Sequence, residues 1–492
     1  PADLEAMHRV RYSFDPYTRF NPGKLLPEKL YCLAPALVPG DRELFFPAQT
    51  ENKHYPIITQ TILPLAKTLA PADQADLSGA VRAAYGEKMA VYPIGGGTRL
   101  DYGTHPTKPG VGLSLENLNR LIDYQPDDLT ITVQSGMTMA ELAKILAQHG
   151  QRLPIDVAHP DLATVGGTAA VNPLGLGQFA QGTMRDCLLG FSAVDGQGMI
   201  FSGGARVLNN AAGYNMARLM AGSLGTLGIL TQLTLSVRPL PEMSAFAACD
   251  LPDLNIAERL LMELMHTQPQ PTAIELSLGP KRQDNPVLGP MPETSKLRLL
   301  VAFEGASEDV HPMLDALRQK CNIYRLTALS TVTGAASKQL WDWLMDFPAQ
   351  VQITVRPSAV TKMIDALVAL DPDCTIQAQA GSGILQAIFS SSKILPVEQG
   401  TSKQNNIALN GQEGRENATL HPFAIFLRTQ LRPLLQSNPA KLVVLKQPEN
   451  SNLTTRDVWG PRGDGFVVMQ SLKDRFDPAG ILNPGRYVFH DI

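Results

Sequence analysis

The sequence predicts an α+β protein of two domains, and three observations carry that expectation. At 492 residues the chain is longer than one hydrophobic core comfortably organises. Short apolar runs of strand character are mixed irregularly with helical stretches, and no Gly-x-Gly-x-x-Gly fingerprint opens a helix, which argues against a doubly wound parallel sheet. After Arg238-Pro239-Leu240-Pro241 the pattern changes to a second series of helices and paired strands.

In the first region, residues 72–87 have helical spacing, and Met89 to Tyr92 reads as a strand that runs into Pro93-Ile94-Gly95-Gly96-Gly97-Thr98. Thr138-x-x-Glu141 has the form of a capping box and opens a helix through Leu142, Ile145 and Leu146 that stops at Gly150. Leu188 to Val194 and Met199 to Phe201 flank Asp195-Gly196 and predict a hairpin with a tight Asp-Gly turn. Leu230 to Val237 alternates as a strand.

The second region predicts helix 254–266, strands 273–278 and 297–303, and helix 310–320. Strand 351–355, helix 358–370, strands near Ile376 and Ile384, and helix 423–435 follow. Two alternations of helix and paired strands suggest a ferredoxin-like α+β cap domain. Gly279 to Ser295 and Ser391 to Asn417 read as long, polar, mobile surface loops. The expected organisation is an N-terminal extension at 1–50, a first domain at 51–241, the cap at 242–448, and a tail at 449–492 that returns to the first domain.

Composition narrows the function classes. A net charge of −4 gives no basic footprint for nucleic acid. Cys32, Cys187, Cys249, Cys321 and Cys374 are too scattered for a disulfide framework or an iron–sulfur run. The histidines form no metal-ligand spacing. No apolar run has membrane-spanning length and no leader pattern opens the sequence, so a cytoplasmic protein is expected.

The chemistry is concentrated in three glycine clusters. Gly95-Gly96-Gly97-Thr98 leaves a strand, Ala163-Thr164-Val165-Gly166-Gly167-Thr168 follows about seventy residues later, and Gly222-Ser223-Leu224-Gly225-Thr226-Leu227-Gly228-Ile229 enters the next strand. Successive residues without Cβ let backbone N–H groups converge on an anion such as a diphosphate.

Together with Leu113-Ser114-Leu115, Val133-Gln134-Ser135-Gly136, Gly182 with Arg185-Asp186, and Ala212-Gly213-Tyr214, these clusters resemble the PCMH-type FAD-binding domain of the vanillyl-alcohol oxidase superfamily. The resemblance covers roughly residues 60–241. It implies cofactor contacts from Ile94, Gly95, Gly96, Gly97 and Thr98, from Thr164, Val165, Gly166 and Gly167, from Gly182, Arg185 and Asp186, and from Gly228 and Ile229. Some family members attach FAD through a His in the first loop, whereas this loop is Gly-Gly-Gly-Thr and His105 lies beyond it, so noncovalent FAD is expected.

Within the superfamily the chain is similar to the E-type FAD-binding subunits of bacterial glycolate oxidase. The related D-type family has Glu where Leu224 stands and a His-rich Gly-Asp-Gly-Asn segment that is missing here. The resemblance implies an FAD-dependent oxidoreductase component of a complex that oxidises glycolate or a related 2-hydroxy acid. Its partners would be a D-like flavoprotein and an F-like iron–sulfur protein. A non-catalytic scaffold and an independent FAD-dependent dehydrogenase stay open as alternatives. Arg356, His421 and Arg428 are candidates for gripping a carboxylate or moving a proton, but no spacing joins them into a site.

One internal repeat stands out. Phe14-Asp15-Pro16 with Asn21-Pro22-Gly23-Lys24 recurs 462 residues later as Phe476-Asp477-Pro478 with Asn483-Pro484-Gly485-Arg486. The first copy resembles the tail of a D-type unit, which implies that the chain is the second half of a fused D–E polypeptide or its processed product.

Overall fold

The computed structural model describes Val10 and residues 62–204, 215–266, 270–326, 329–390, 421–448 and 451–487. The N-terminal copy of the repeat, Asn209 to Tyr214, and the segment from Ser391 to Asn417 lie outside the described residues.

Asp73 caps helix Gln74–Glu87 by accepting the amides of Ala75 and Asp76, at 2.8 and 2.9 Å. Left-handed Lys88 ends the helix and turns the chain into strand Ala90–Ile94. That strand pairs in parallel with Gly110–Ser114, which pairs in parallel with Leu65–Leu69. The first glycine loop therefore leaves the end of a buried three-stranded sheet.

A five-stranded antiparallel sheet lies beside it, in the order Leu121–Gln125, Thr130–Gln134, Ile229–Ser236, Leu188–Val194, Ile200–Gly204. The hairpin between its last two strands forms, but not with a two-residue Asp-Gly turn. Val194 pairs with Ile200, and Asp195 folds the intervening loop by accepting the amides of Gln197 and Met199, both at 2.9 Å. The left-handed residue is Gly198, while Gly196 is held by the bond from its amide to Phe476 O at 2.8 Å.

Thr164 to Gly167 also differs from the expected turn. Thr164 is the N-cap of helix Val165–Val171, its hydroxyl accepting from Gly167 N at 3.2 Å. Thr138 caps Met139–Ala147 as its capping signature predicts, accepting from Glu141 N at 3.1 Å.

Apart from the short pair Asp284–Asn285 and Gly289–Pro290, the strands from Met243 onward build one eight-stranded, wholly antiparallel sheet. Met243–Leu251, helix Leu254–Met265, Ala273–Leu278, Leu297–Gly305, helix Ser307–Ile323 and Ser330–Thr333 form a first βαββαβ unit. Val351–Thr354, helix Val360–Leu370, Thr375–Gln379, Ile384–Ile388, the helical stretch 422–437 and Lys441–Val444 form a second. Each unit has the ferredoxin-like strand order 4-1-3-2, and the two second strands pair at the centre of the sheet. Helices cover one face of the sheet, over a core that includes Leu276, Leu299, Ile376 and Leu385. The helical stretch 422–437 is not one regular helix: Leu427–Leu431 widens to a π turn where Pro433 has no amide to donate.

The other face receives helix Gly334–Met345 and the loop around Leu176. Gly279 to Ser295, expected to be a mobile loop, helps dock that helix. Arg282 is buried and donates to Trp343 O at 3.0 Å and Leu344 O at 3.3 Å, closing the helix C-terminus, and lies 3.8 Å from the Trp343 ring centroid.

Glu275 points from the central strands into this layer and is fully buried. Neither carboxylate oxygen makes a well-formed hydrogen bond, because the nearby Gln377 amide is committed to Leu344 O at 3.1 Å. Burial pushes the Glu275 pKa up to about 8, and the attraction of Arg282 offsets only part of that rise. The folded chain therefore holds a proton that the unfolded chain has released, and stability falls as pH climbs from the ordinary Glu value of about 4.3 to the folded value. Glu275→Gln is expected to match the parent in thermal melts near pH 4.5. Near pH 8.5 it should exceed the parent by on the order of 5 °C. An equal melting difference at both pH values would contradict this account.

The last described helix, Phe466–Phe476, returns to the first region. There Leu482 bridges to Val91 beside the three-stranded sheet. No helix among the described residues is long and apolar enough to cross a membrane.

Candidate functional site

The three glycine clusters converge on one cleft. Gly95, Gly96, Gly97 and Thr98 form one wall, Thr164, Gly166 and Gly167 a second, and Leu224, Gly225, Gly228 and Ile229 a third. Loops pack so closely here that side chains are excluded. A Cβ on Gly96 would lie 1.6 Å from Leu162 O, and one on Gly95 would lie 2.3 Å from Thr164 Oγ1. Among the described residues, no protein acceptor takes the amides of Gly95, Gly96, Gly97 or Thr98. Consecutive free N–H groups on a turn form an anion-binding concavity.

The third wall is held by the C-terminal tail. Leu224 adopts a left-handed conformation, φ 53°, and accepts at its carbonyl from Asn483 Nδ2 at 2.6 Å. Asn483 is itself left-handed, φ 44°, and its amide donates to Val91 O at 2.9 Å. Arg486 donates to the carbonyls of Leu100 at 2.6 Å, Tyr102 at 2.8 Å and Arg99 at 3.2 Å, which fixes the chain just after the first glycine loop. Asn483 and Arg486 both line the cleft, and neither was among the residues expected there. Their signal in the sequence was the recurring Asn-Pro-Gly motif, whose role depends on contacts across nearly the whole chain.

Five expected contacts do not line the cleft. The side chains of Ile94 and Val165 are buried in core beside it. Gly182, Arg185 and Asp186 instead build a local cap: Asp186 accepts from Thr183 N and Oγ1 at 2.9 and 3.0 Å, and Arg185 N donates to Asn172 Oδ1 at 2.9 Å. Hydrogen bonds from Thr183 hold the Asp186 carboxyl below its usual range. The Arg185 side chain is exposed.

A second cleft adjoins the first through Val157, which lines both, and lies between the first region and the eight-stranded sheet. Its two cations are paired with carboxylates. Arg152 forms a two-pronged pair with Glu304 at 2.8 and 2.9 Å, Gln181 adds a 2.6 Å bond to Glu304, and Lys338 pairs with Asp342 at 2.8 Å. Asp156 accepts from Gly177 N and Trp341 Nε1, both at 2.9 Å, and burial still raises its pKa above the usual carboxylate range.

Arg356, His421 and Arg428 are not brought together. Arg356 lines a groove on the helix-covered side of the cap, His421 caps the helix at Pro422, and Arg428 is paired with Asp457 at 2.5 Å.

Comparison with known proteins agrees with this geometry. Residues 65–204 match the family model described as FAD binding domain, and residues 460–487 match that of FAD linked oxidases, C-terminal domain. The chain carries a PCMH-type FAD-binding fold and is an FAD-dependent oxidoreductase. Glycolate oxidase subunit GlcD of Bacillus subtilis is 24% identical over 86% of this chain and 89% of that protein. D-lactate dehydrogenase of Archaeoglobus fulgidus is 25% identical over 85% of this chain and 90% of its own length. Glycolate oxidase subunit GlcE of Escherichia coli is 36% identical over 125 residues, 25% of this chain and 36% of that protein. Among solved structures, alkyldihydroxyacetonephosphate synthase superposes with a TM-score of 0.60 at 18% identity, covering 85% of this chain and 75% of that one. The glucooligosaccharide oxidase of Acremonium strictum gives a TM-score of 0.59 at 14% identity, covering 87% and 91%.

The cleft suits FAD. Free amides at Gly95 to Thr98 offer donors for a diphosphate, apolar walls such as Leu115, Val157 and Ile229 offer a slot for planar rings, and no Asp or Glu lines it to repel phosphate. When bound, FAD would supply the capacity to accept and release electron pairs. No histidine lines the cleft, and His105 is turned into protein with its Nε2 buried. Acid precipitation of the purified chain is expected to release all the flavin into the supernatant. Yellow colour retained in the pellet would show a covalent link.

Proposed function

We propose that this chain is the E-like, FAD-binding component of a cytoplasmic complex that oxidises glycolate or a related 2-hydroxy acid. Its noncovalent flavin exchanges electrons with a D-like flavoprotein and an F-like iron–sulfur protein. The observation that carries this reading is the engagement of every cation in the cleft beside the cofactor site: Arg152 with Glu304 and Lys338 with Asp342. Oxidation of a 2-hydroxy acid requires a cation for its carboxylate and a base for its hydroxyl proton. A chain whose cleft cations are already paired is suited to relaying electrons rather than to holding that substrate. The similarity of part of the chain to GlcE supports the same reading.

A second reading, an independent 2-hydroxy-acid dehydrogenase, is favoured by the greater coverage of GlcD and D-lactate dehydrogenase. In that case the substrate carboxylate would displace Glu304 from Arg152. Anaerobic mixing of the FAD-loaded chain with a purified D-like flavoprotein and glycolate tests the two. Bleaching of this chain's flavin only in the presence of the D-like flavoprotein supports the relay, and bleaching without it supports the dehydrogenase.

A further inference from the structure

Arg486 is the buried charge of the cofactor cleft. It is only 6% exposed, whereas Arg99, the other charged residue of the lining, is exposed. Its guanidinium donates to three loop carbonyls and, among the described residues, forms no ion pair. Carbonyl dipoles satisfy the N–H donors without supplying a counter-charge, and a buried cation without one is costly. Asp101 attracts it only from a distance. Burial lowers the Arg486 pKa to about 10, so it remains charged at neutral pH.

With no carboxylate in its lining, the cleft reaches charge balance only when an anion enters. The free amides of Gly95 to Thr98 already provide one anion site, suited to the diphosphate. Arg486 lines the same cleft and holds the stretch of chain that follows those amides, Arg99 to Tyr102.

We infer that Arg486 is the charge that compensates the flavin on reduction and thereby raises the reduction potential of FAD bound to this chain. Two electrons and one proton entering the ring from a two-electron donor leave it with one net negative charge, and a fixed, desolvated cation in the cleft stabilises that form over the oxidised one. The inference rests on FAD occupying the cleft, and it is independent of the substrate or partner assigned to the chain.

The test uses the full FAD-loaded chain and its Arg486→Gln, Arg486→Lys and Asp101→Asn variants. Midpoint potentials are measured by slow anaerobic reduction against reference dyes, with FAD affinity measured alongside. Arg486→Gln is expected to shift the oxidised-to-reduced equilibrium at least tenfold toward oxidised, about 30 mV for a two-electron couple. Arg486→Lys keeps the charge and should stay within about threefold of the parent. Asp101→Asn removes an opposing charge and should move the potential the other way.

Three results would overturn the inference. One is an unchanged potential in Arg486→Gln with FAD bound, which would leave the charge serving the diphosphate alone. Another is an equal drop in Arg486→Lys, which would assign the effect to the fork that holds the loop. If Arg486→Gln retains no FAD, Asp101→Asn decides: an upward shift supports the inference and an unchanged potential rejects it.

Discussion

Gly96→Ala is expected to abolish FAD binding. A Cβ at this position would stand 1.6 Å from Leu162 O, a backbone atom just before the second glycine cluster, so relief requires the two walls of the cleft to part. Parting them breaks the alignment of the free amides at Gly95 to Thr98. The variant should purify colourless, and added FAD should give neither quenched flavin fluorescence nor a rise in melting temperature. Gly86→Ala is the matched control. It lies in helix Gln74–Glu87 with nothing within 4 Å of the added methyl, so it should retain flavin and gain roughly 0.4–1 kcal/mol. Stoichiometric yellow Gly96→Ala protein would show that the cofactor lies elsewhere.

Asp477→Ala is expected to be the most destabilising single change in the tail. Asp477 is buried and accepts from Lys473 Nζ at 2.5 Å, Leu482 N at 2.8 Å and Ile481 N at 3.0 Å. Lys473 is buried as well, its pKa lowered by burial despite the attraction of Asp477, and it also donates to Thr226 O at 2.8 Å and Leu482 O at 3.0 Å. Removing the carboxylate strands the ammonium and two amides away from water, a loss of about 3–5 kcal/mol. Because Thr226 directly follows Gly225 of the third wall and Leu482 precedes Asn483, FAD affinity should fall together with stability. Chemical denaturation with and without FAD measures both, and a loss under about 1 kcal/mol would contradict the tail's role.

These two residues mark the reach of sequence reading. Glycines at 95–97 announce the loop of free amides because their chemistry is local: at Gly95 and Gly96 a Cβ would clash, and the amides have no protein acceptor among the described residues. Asp477 and Arg486 were visible only as a repeated motif, since the contacts that give the motif its role run far across the sequence: Lys473, held by Asp477, reaches Thr226 O, and Arg486 reaches the carbonyls of Arg99 to Tyr102. Strand Met243–Leu251 was missed because its Ala-rich run lacks β-branched residues and alternation, although it lies second from the edge of the sheet. Gly166-Gly167 hid a helix start, since paired glycines read as a turn until the Thr164 cap is seen. Gly182, Arg185 and Asp186 read as cofactor contacts and stand in a local cap outside the lining of the cleft, because a cap and an anion contact use the same residue types.

The most direct measurement is the anaerobic absorbance spectrum of the purified chain alone, recorded before and after addition of glycolate or D-lactate. Flavin bands at about one FAD per chain are expected, staying oxidised with either acid and bleaching when dithionite is added. Bands that bleach with the hydroxy acid alone would contradict the relay assignment, and the absence of flavin after FAD is supplied would contradict the cofactor cleft itself.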